Sequence, residues 1–108
     1  MAVEVAVEAA RLARLFRGPG AWERADQLVR ATLSVSSNIA EACGRGTLGE
    51  FKQFLVYARG SAQEALSQLG VTRALEPQYA TTIRRLESRC VLIIKSLGRL
   101  MEHPPSGT

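Results

Sequence analysis

The sequence predicts an all-α protein, an antiparallel up-down four-helix bundle, and three observations lead to that prediction. Apolar residues recur at steps of three and four along four long stretches, which is the spacing of helices with a buried face. Short segments containing Gly or Pro separate these stretches, so consecutive helices should run antiparallel. No series of short strands separated by turns is present. We expect the bundle to span residues 1–102 and the tail, residues 103–108, to be disordered.

The first helix is expected over residues 2–17. The segment 18–20, Gly-Pro-Gly, should end it, because glycine permits a positive φ and proline cannot extend a helix. The acids of this helix precede its arginines, which is the order that the helix dipole favours. The residues expected to face the core are Val3, Ala6 or Val7, Ala10, Leu12 or Ala13, and Phe16.

The second helix is expected over residues 21–43 and has two apolar stripes. One stripe contains Leu28, Ala31, Val35, Ile39 and Ala42. The other stripe contains Val29, Leu33, Ser36, Ala40 and Cys43. Two stripes predict burial on two sides, and their small residues allow other helix axes to approach closely.

The third helix should begin at a capping box, in which Thr47 caps an amide and Glu50 reaches back to the start of the helix. Gly60 lies in mid-helix, where glycine costs about 1 kcal/mol relative to alanine. This glycine predicts close approach by another backbone, for which the small face of the second helix is the natural candidate. The helix should end within residues 70–75.

The fourth helix should begin at residues 76–77, with Pro77 at its first helical position. A heptad-like apolar seam predicts its buried side. The seam contains Tyr79, Ile83, Leu86, Cys90, Ile93, Leu97 and Leu100. A second apolar strip contains Val91, Ile94 and Gly98.

The balance of charge is basic, with 14 Lys and Arg against 10 Asp and Glu and a net charge of +4. Arginine supplies twelve of the basic residues, and its guanidinium binds phosphate in a bidentate manner. This balance favours nucleic acid as a partner. The longest apolar run, residues 91–94, is far too short to span a membrane, and the N-terminus does not resemble a secretory signal. We therefore expect a cytoplasmic protein.

Catalysis is not expected, because the usual catalytic residue sets are missing. No histidine lies within a predicted helix, which excludes the paired Glu-x-x-His ligands of di-metal bundles. Ser34, Ser37 and Ser61 have no histidine or lysine at a productive spacing. Cys43 and Cys90 occupy apolar helical positions and are expected to be buried free thiols. The sequence therefore predicts neither an enzyme nor a bound metal or cofactor.

The most distinctive polar set follows one face of the second helix at steps of three and four. It contains Arg30, Ser34, Asn38, Glu41 and Arg45. One interpretation is a hydrogen-bonded seam, with Asn38 and Glu41 satisfied by neighbouring helix ends or by Arg30. The other is a surface for a partner or for phosphates. We favour the seam, because the second helix already looks enclosed.

A group of basic residues follows the fourth helix. It contains Arg84, Arg85, Arg89, Lys95 and Arg99. This group should lie on a solvated face, where it could contact a phosphate backbone. The second apolar strips suggest contact with another subunit, and Trp22 and Tyr57 are candidates either for that contact or for the core.

Two ordered motifs resemble a known family. They are Ser-Val-Ser-Ser-Asn-Ile-Ala-Glu at 34–41 with Gly-Arg at 44–45, and Glu-Phe-Lys-Gln-Phe-Leu at 50–55 with Ala-Arg-Gly-Ser at 58–61 and Glu at 64. This pattern is similar to that of four-helix bundle proteins encoded in intervening sequences of bacterial 23S ribosomal RNA genes, also called the S23 ribosomal protein family. The residues that match the family motif are Ser34, Ser37, Asn38, Glu41, Gly44, Arg45, Gly60, Ser61 and Glu64.

The resemblance implies a homopentamer of four-helix bundles. It also implies kinship with the accessory variability proteins of diversity-generating retroelements, which are basic pentamers that bind nucleic acid and a reverse transcriptase. The function expected is a non-enzymatic homo-oligomer that associates with RNA or DNA and with a reverse transcriptase. The alternative is a protein–protein assembly module without affinity for nucleic acid.

Overall fold

The computed structural model describes residues 1–105, which contain four α-helices and no strand. The helices are α1 (Ala2–Ala13), α2 (Ala21–Cys43), α3 (Leu48–Leu75) and α4 (Ala80–Glu102). Each helix packs against its neighbours in the chain, and α1 also packs against α4, so the predicted all-α four-helix bundle is confirmed. The predicted disordered tail follows α4, and its residues 106–108 lie outside the described part.

The first helix is shorter than predicted, and its buried face matches the prediction only in part: Ala6, Leu12, Ala13 and Phe16 are buried as expected. After Ala13 the chain leaves the helix in a tight turn that places Phe16 in the core. Gly18 and Gly20 complete the turn with φ values of 87° and 73°. The residues expected to be buried included Val3 and Val7, but they are 61% and 44% exposed. The buried residues of this segment are Val5, Ala6, Ala9, Leu12, Ala13 and Phe16.

The helix α2 has the predicted bounds, but only its first apolar stripe faces the core. Leu28, Ala31, Val35 and Ala42 are buried, whereas Leu33 of the second stripe is 52% exposed. Cys43 is exposed as well, so its predicted burial is wrong, while Cys90 is buried as expected. Leu33 follows the buried Leu28 by five positions, or about 140° around the helix, and so faces away from the core, while Cys43 is the last residue of α2.

The close approach predicted at Gly60 is wrong, because Gly60 is exposed and a Cβ there would meet no atom within 4 Å. Ala58, Ala62 and Ala65 on the buried face of α3 are 0% exposed, and α2 packs against α3. Gly60 follows Ala58 by two positions, or about 200° around the helix, and so faces the opposite way.

The ends of α3 are partly as predicted. The Glu50 amide donates a hydrogen bond to Thr47 Oγ1 at 3.2 Å, which confirms the cap. The Glu50 carboxylate accepts a bond from the Thr47 hydroxyl at 2.9 Å instead of reaching the backbone. At its other end α3 continues through Gly70 to Leu75. Residues 77–79 then form a 3₁₀ turn, so α4 begins at Ala80 and not at Pro77.

A polar contact fastens the connection between α3 and α4 to the start of α2. Glu76 accepts hydrogen bonds from Arg24 Nη1 at 3.0 Å and from the backbone amide of Arg17 at 3.1 Å. Arg24 also donates to the Arg17 carbonyl, and its guanidinium lies 5.4 Å from the ring centroid of Phe16. These contacts join both interhelical connections at one end of the bundle.

Candidate functional site

The five basic residues predicted on the fourth helix all lie outside the core. The buried side of α4 consists of Ile83, Leu86, Cys90, Ile93 and Leu97. Arg84, Lys95 and Arg99 are exposed and lie within about 60° of one another around the helix. Arg85 and Arg89 lie on the side that faces α1 and are 55% and 38% exposed.

The Glu8 carboxylate of α1 pairs with two residues of this basic group and, within the part of the chain that the structure describes, leaves the other three unpaired. Arg85 Nε donates a hydrogen bond to Glu8 Oε1 at 2.9 Å, and Arg85 Nη2 contacts the same oxygen. Arg89 Nη1 donates to Glu8 Oε2 at 3.2 Å. None of the ion pairs formed within residues 1–105 involves Arg84, Lys95 or Arg99. Two of the five predicted residues therefore share one carboxylate, and the other three take part in no ion pair within the described residues.

A further basic residue lies near this surface and was missed in the sequence. The pair between Arg73 Nε and Glu87 Oε1, at 2.9 Å, fixes the antiparallel register of α3 and α4. Since both helices rise by the same distance per residue, that register places Arg59 approximately level with Arg99. Arg59 is half-buried and takes part in no ion pair within the described residues. Only the helix register could have revealed it.

The basic surface is not continuous along α4. Val91 and Leu92 lie between Arg84 and Lys95, and they are 37% and 51% exposed. The outward side of α4 therefore has cations at both ends and an apolar middle. A nucleic-acid backbone could contact the ends, while the middle suits an apolar partner.

Three of the motif residues form a polar network between α2 and α3. The Asn38 side-chain amide donates to the Ser34 carbonyl at 2.8 Å and to Ser34 Oγ at 3.0 Å. Ser61 Oγ donates to Ser34 Oγ at 2.9 Å and so joins the two helices. All three side chains are half-buried and bond to one another, which fits the predicted seam. Arg30 does not contribute, because it pairs with Asp26.

Two other motif residues, Glu41 and Arg45, form a cluster where α2 ends. Arg45 Nη2 donates to Glu41 Oε2, and Arg45 Nη1 lies 3.9 Å from Glu50 Oε2. The guanidinium of Arg45 also lies 4.5 Å from the ring centroid of Phe54. These contacts occupy Arg45, and Gly44 beside it ends the helix. The remaining motif residues, Ser37, Gly60 and Glu64, are exposed.

Comparison with known protein families identifies the family of this chain. Residues 1–99 match the family described as 23S rRNA-intervening sequence protein. The chain belongs to this family. The match covers α1, α2 and α3 completely and all of α4 except its last three residues. No curated protein matches the chain.

In this member of the 23S rRNA-intervening sequence protein family, the part described contains no group of His, Cys, Asp and Glu side chains that could hold a metal ion.

Burial and the nearby Glu87 carboxylate raise the pKa of the Cys90 thiol to about 11, so this cysteine is protonated at neutral pH. None of the four helices has both the length and the apolar composition of a membrane span.

Proposed function

We propose that this member of the 23S rRNA-intervening sequence protein family is a non-enzymatic homo-oligomer that binds nucleic acid through the outward side of α4. The observation that carries the proposal is the set of three unpaired cations, Arg84, Lys95 and Arg99, on one side of one helix. Arg59 adds a fourth positive charge near Arg99. A net charge of +4 supports association with a polyanion.

Phosphate contacts of this kind bind nucleic acid without reading its sequence. Each Lys or Arg that neutralises a phosphate releases counterions, so affinity falls as the salt concentration rises. The proposal is therefore for backbone binding of RNA or DNA with strong dependence on salt.

The oligomer is supported by exposed apolar side chains on all four helices. Helices α1 and α2 present Val3, Val7, Trp22 and Leu33. Helices α3 and α4 present Val56, Val71, Val91 and Leu92. Two different apolar faces suit a head-to-tail contact, in which one face of a subunit packs on the other face of the next and the assembly closes into a ring. The family resemblance makes five subunits the proposed number.

The test of nucleic-acid binding compares two triple variants with the same loss of charge. Retention of single-stranded and hairpin RNA is measured at two salt concentrations. The variant Arg84→Gln, Lys95→Gln and Arg99→Gln should lose most of the binding. Its control, Arg14→Gln, Arg17→Gln and Lys52→Gln, removes exposed cations elsewhere and should retain it. Absence of binding by the unmodified protein at low salt would refute the proposal, as would equal losses in the two variants.

An assembly module without nucleic-acid affinity is the second candidate, and the apolar middle of α4 favours it. Val91 and Leu92 are exposed between the cations, where a protein partner could cover them. This candidate predicts a stable oligomer that retains no RNA at any salt concentration. The proposal also includes a reverse transcriptase as partner, which rests on the family resemblance. It includes a cytoplasmic location, which rests on the sequence.

A further inference from the structure

An open cleft between α1 and α4 contains the ion pairs that Glu8 forms with the basic group of α4. The cleft has a volume of about 620 Å³. Its lining residues include Val7 and Glu8 of α1 on one side and Arg85 and Arg89 of α4 on the other. Arg11, one turn after Val7, adds a third guanidinium to this cleft. Glu4 lines the cleft as well, so three guanidiniums face two carboxylates, and the cleft has an excess of positive charge next to the unpaired cations of α4.

The anion that the arginines bind in the free protein is the side chain of Glu8. One carboxylate oxygen contacts Arg85 and the other contacts Arg89 one turn further along α4. The Glu8 side chain is 22% exposed, which is less than either arginine. Guanidinium groups bind carboxylate and phosphate oxygens through the same fork of N–H donors. A backbone phosphate can thus take the place of this carboxylate with the same donors.

The position of Glu8 follows from the packing of α1. Val5 and Leu12 are buried on the same helix and hold the turn that carries Glu8 against α4. Glu4, one turn earlier, is 67% exposed and pairs with the N-terminal amine instead. Although Glu4 also lines the cleft, only Glu8 forms ion pairs with its arginines.

We infer that Arg85 and Arg89 form a phosphate-binding site which Glu8 occupies in the free protein, so that α1 competes with nucleic acid for α4. The inference rests on the proposed function and adds its regulation. A phosphate that binds these two arginines must displace Glu8, which lowers the affinity for RNA. Removal of the Glu8 charge opens two further cationic contacts beside Arg84.

The test compares Glu8→Gln with Glu23→Gln; both variants raise the net charge by one, but Glu23 is an exposed residue of α2 that does not line the cleft and takes part in no ion pair within residues 1–105. Binding of a single-stranded RNA oligomer is measured at several salt concentrations. Two additional phosphate contacts should steepen the dependence of log K on log salt by about 1.4, and should tighten binding about tenfold at low salt. Glu23→Gln should change affinity by less than about twofold, since it frees no cation.

A combined variant shows whether the tighter RNA binding of Glu8→Gln depends on Arg85 and Arg89. Arg85→Gln and Arg89→Gln, added to Glu8→Gln, should abolish the gain. Equal effects of Glu8→Gln and Glu23→Gln would overturn the inference and leave the proposed function intact. A gain that survives the loss of both arginines would also overturn it. Absence of RNA binding in all variants at low salt would refute both the inference and the proposed function.

Discussion

Arg24 and Glu76, which are 52 residues apart in sequence, form a salt bridge with side chains that are only 13% and 5% exposed. Few charged side chains are so well buried unless they are paired. The pair joins the first turn of α2 to the connection between α3 and α4. Arg24 Nε has no hydrogen-bond partner, so the buried guanidinium depends on the Glu76 carboxylate and the Arg17 carbonyl.

Replacement of Glu76 should be the most damaging single substitution among the charged residues. Glu76→Ala leaves the Arg24 charge buried without its partner, and should lower the free energy of unfolding by about 3 kcal/mol. Urea unfolding followed by circular dichroism measures this loss. The control is Asp26→Ala, which breaks the exposed pair with Arg30 and should cost less than about 0.5 kcal/mol. Similar losses in the two variants would contradict a structural role for the buried pair.

The parts of the fold that the sequence predicted correctly depend on local signals. The bounds of α2 and the Thr47 cap follow from residues close to one another in the chain. The buried face of α1 could be predicted only in part from such local signals, because this helix has two apolar stripes with the same spacing. Val3, Val7 and Ala10 fit a helical face as well as Val5, Ala9 and Leu12 do. Only packing against α2 and α4 selects the second set.

The candidate site shows more clearly that local sequence patterns cannot predict contacts between residues far apart in the chain. The basic composition of α4 was visible in the sequence, but its division by Glu8 was not. Glu8 and Arg85 are 77 residues apart, and no local pattern connects them. In contrast, the network of Ser34, Asn38 and Ser61 was partly predictable. Helical spacing placed Ser34 and Asn38 on one face, whereas the partner on α3 required the tertiary fold.

The exposed Gly60 offers a test of assembly, because the sign of the stability change in Gly60→Ala depends on whether another subunit covers this residue. Gly60→Ala in an isolated bundle should raise the free energy of unfolding by about 0.8 kcal/mol, because alanine favours the helix and the added Cβ meets no atom. Thermal or urea unfolding at low protein concentration measures the change. A loss of stability would show that Gly60 is covered in solution, for example by another subunit. Gly98→Ala is the matched control, since its Cβ would also meet no atom.

The two cysteines should differ strongly in reactivity. Cys43 is exposed, whereas burial and Glu87 raise the pKa of Cys90 to about 11 from an ordinary value of 9.0. Iodoacetamide at about pH 8 should modify Cys43 at least about 100-fold faster, since the thiolate of Cys90 is rarer and enclosed. Mass spectrometry should find one modified thiol in the folded protein and two in urea. Cys43→Ser should leave the folded protein unmodified.

The raised pKa of Cys90 also makes stability depend on alkaline pH. Between about pH 9 and 11 the unfolded chain releases the thiol proton while the folded protein keeps it. The stabilisation is therefore complete below pH 9 and is lost as the pH rises towards 11. Unfolding in urea across this range should show a decline that Cys90→Ala reduces. A decline of the same size in that variant would assign it to other groups.

The exposed apolar face of α1 and α2 gives the sharpest test of assembly. Leu33 is 52% exposed, so Leu33→Asp should not prevent folding, but it would place a charge in any contact made by this face. The expected result is an oligomer near five times 11.7 kDa for the unmodified protein and a monomer for the variant, measured by light scattering.

The matched control for that experiment is Leu48→Asp. Leu48 is 53% exposed but begins α3 at the end of the bundle, where an acid suits the helix dipole. This variant should therefore keep the oligomer. A monomeric unmodified protein would refute the assembly. Dissociation by both variants would show that the contact is not confined to the α1 and α2 face, because residues at the end of the bundle would then contribute to it.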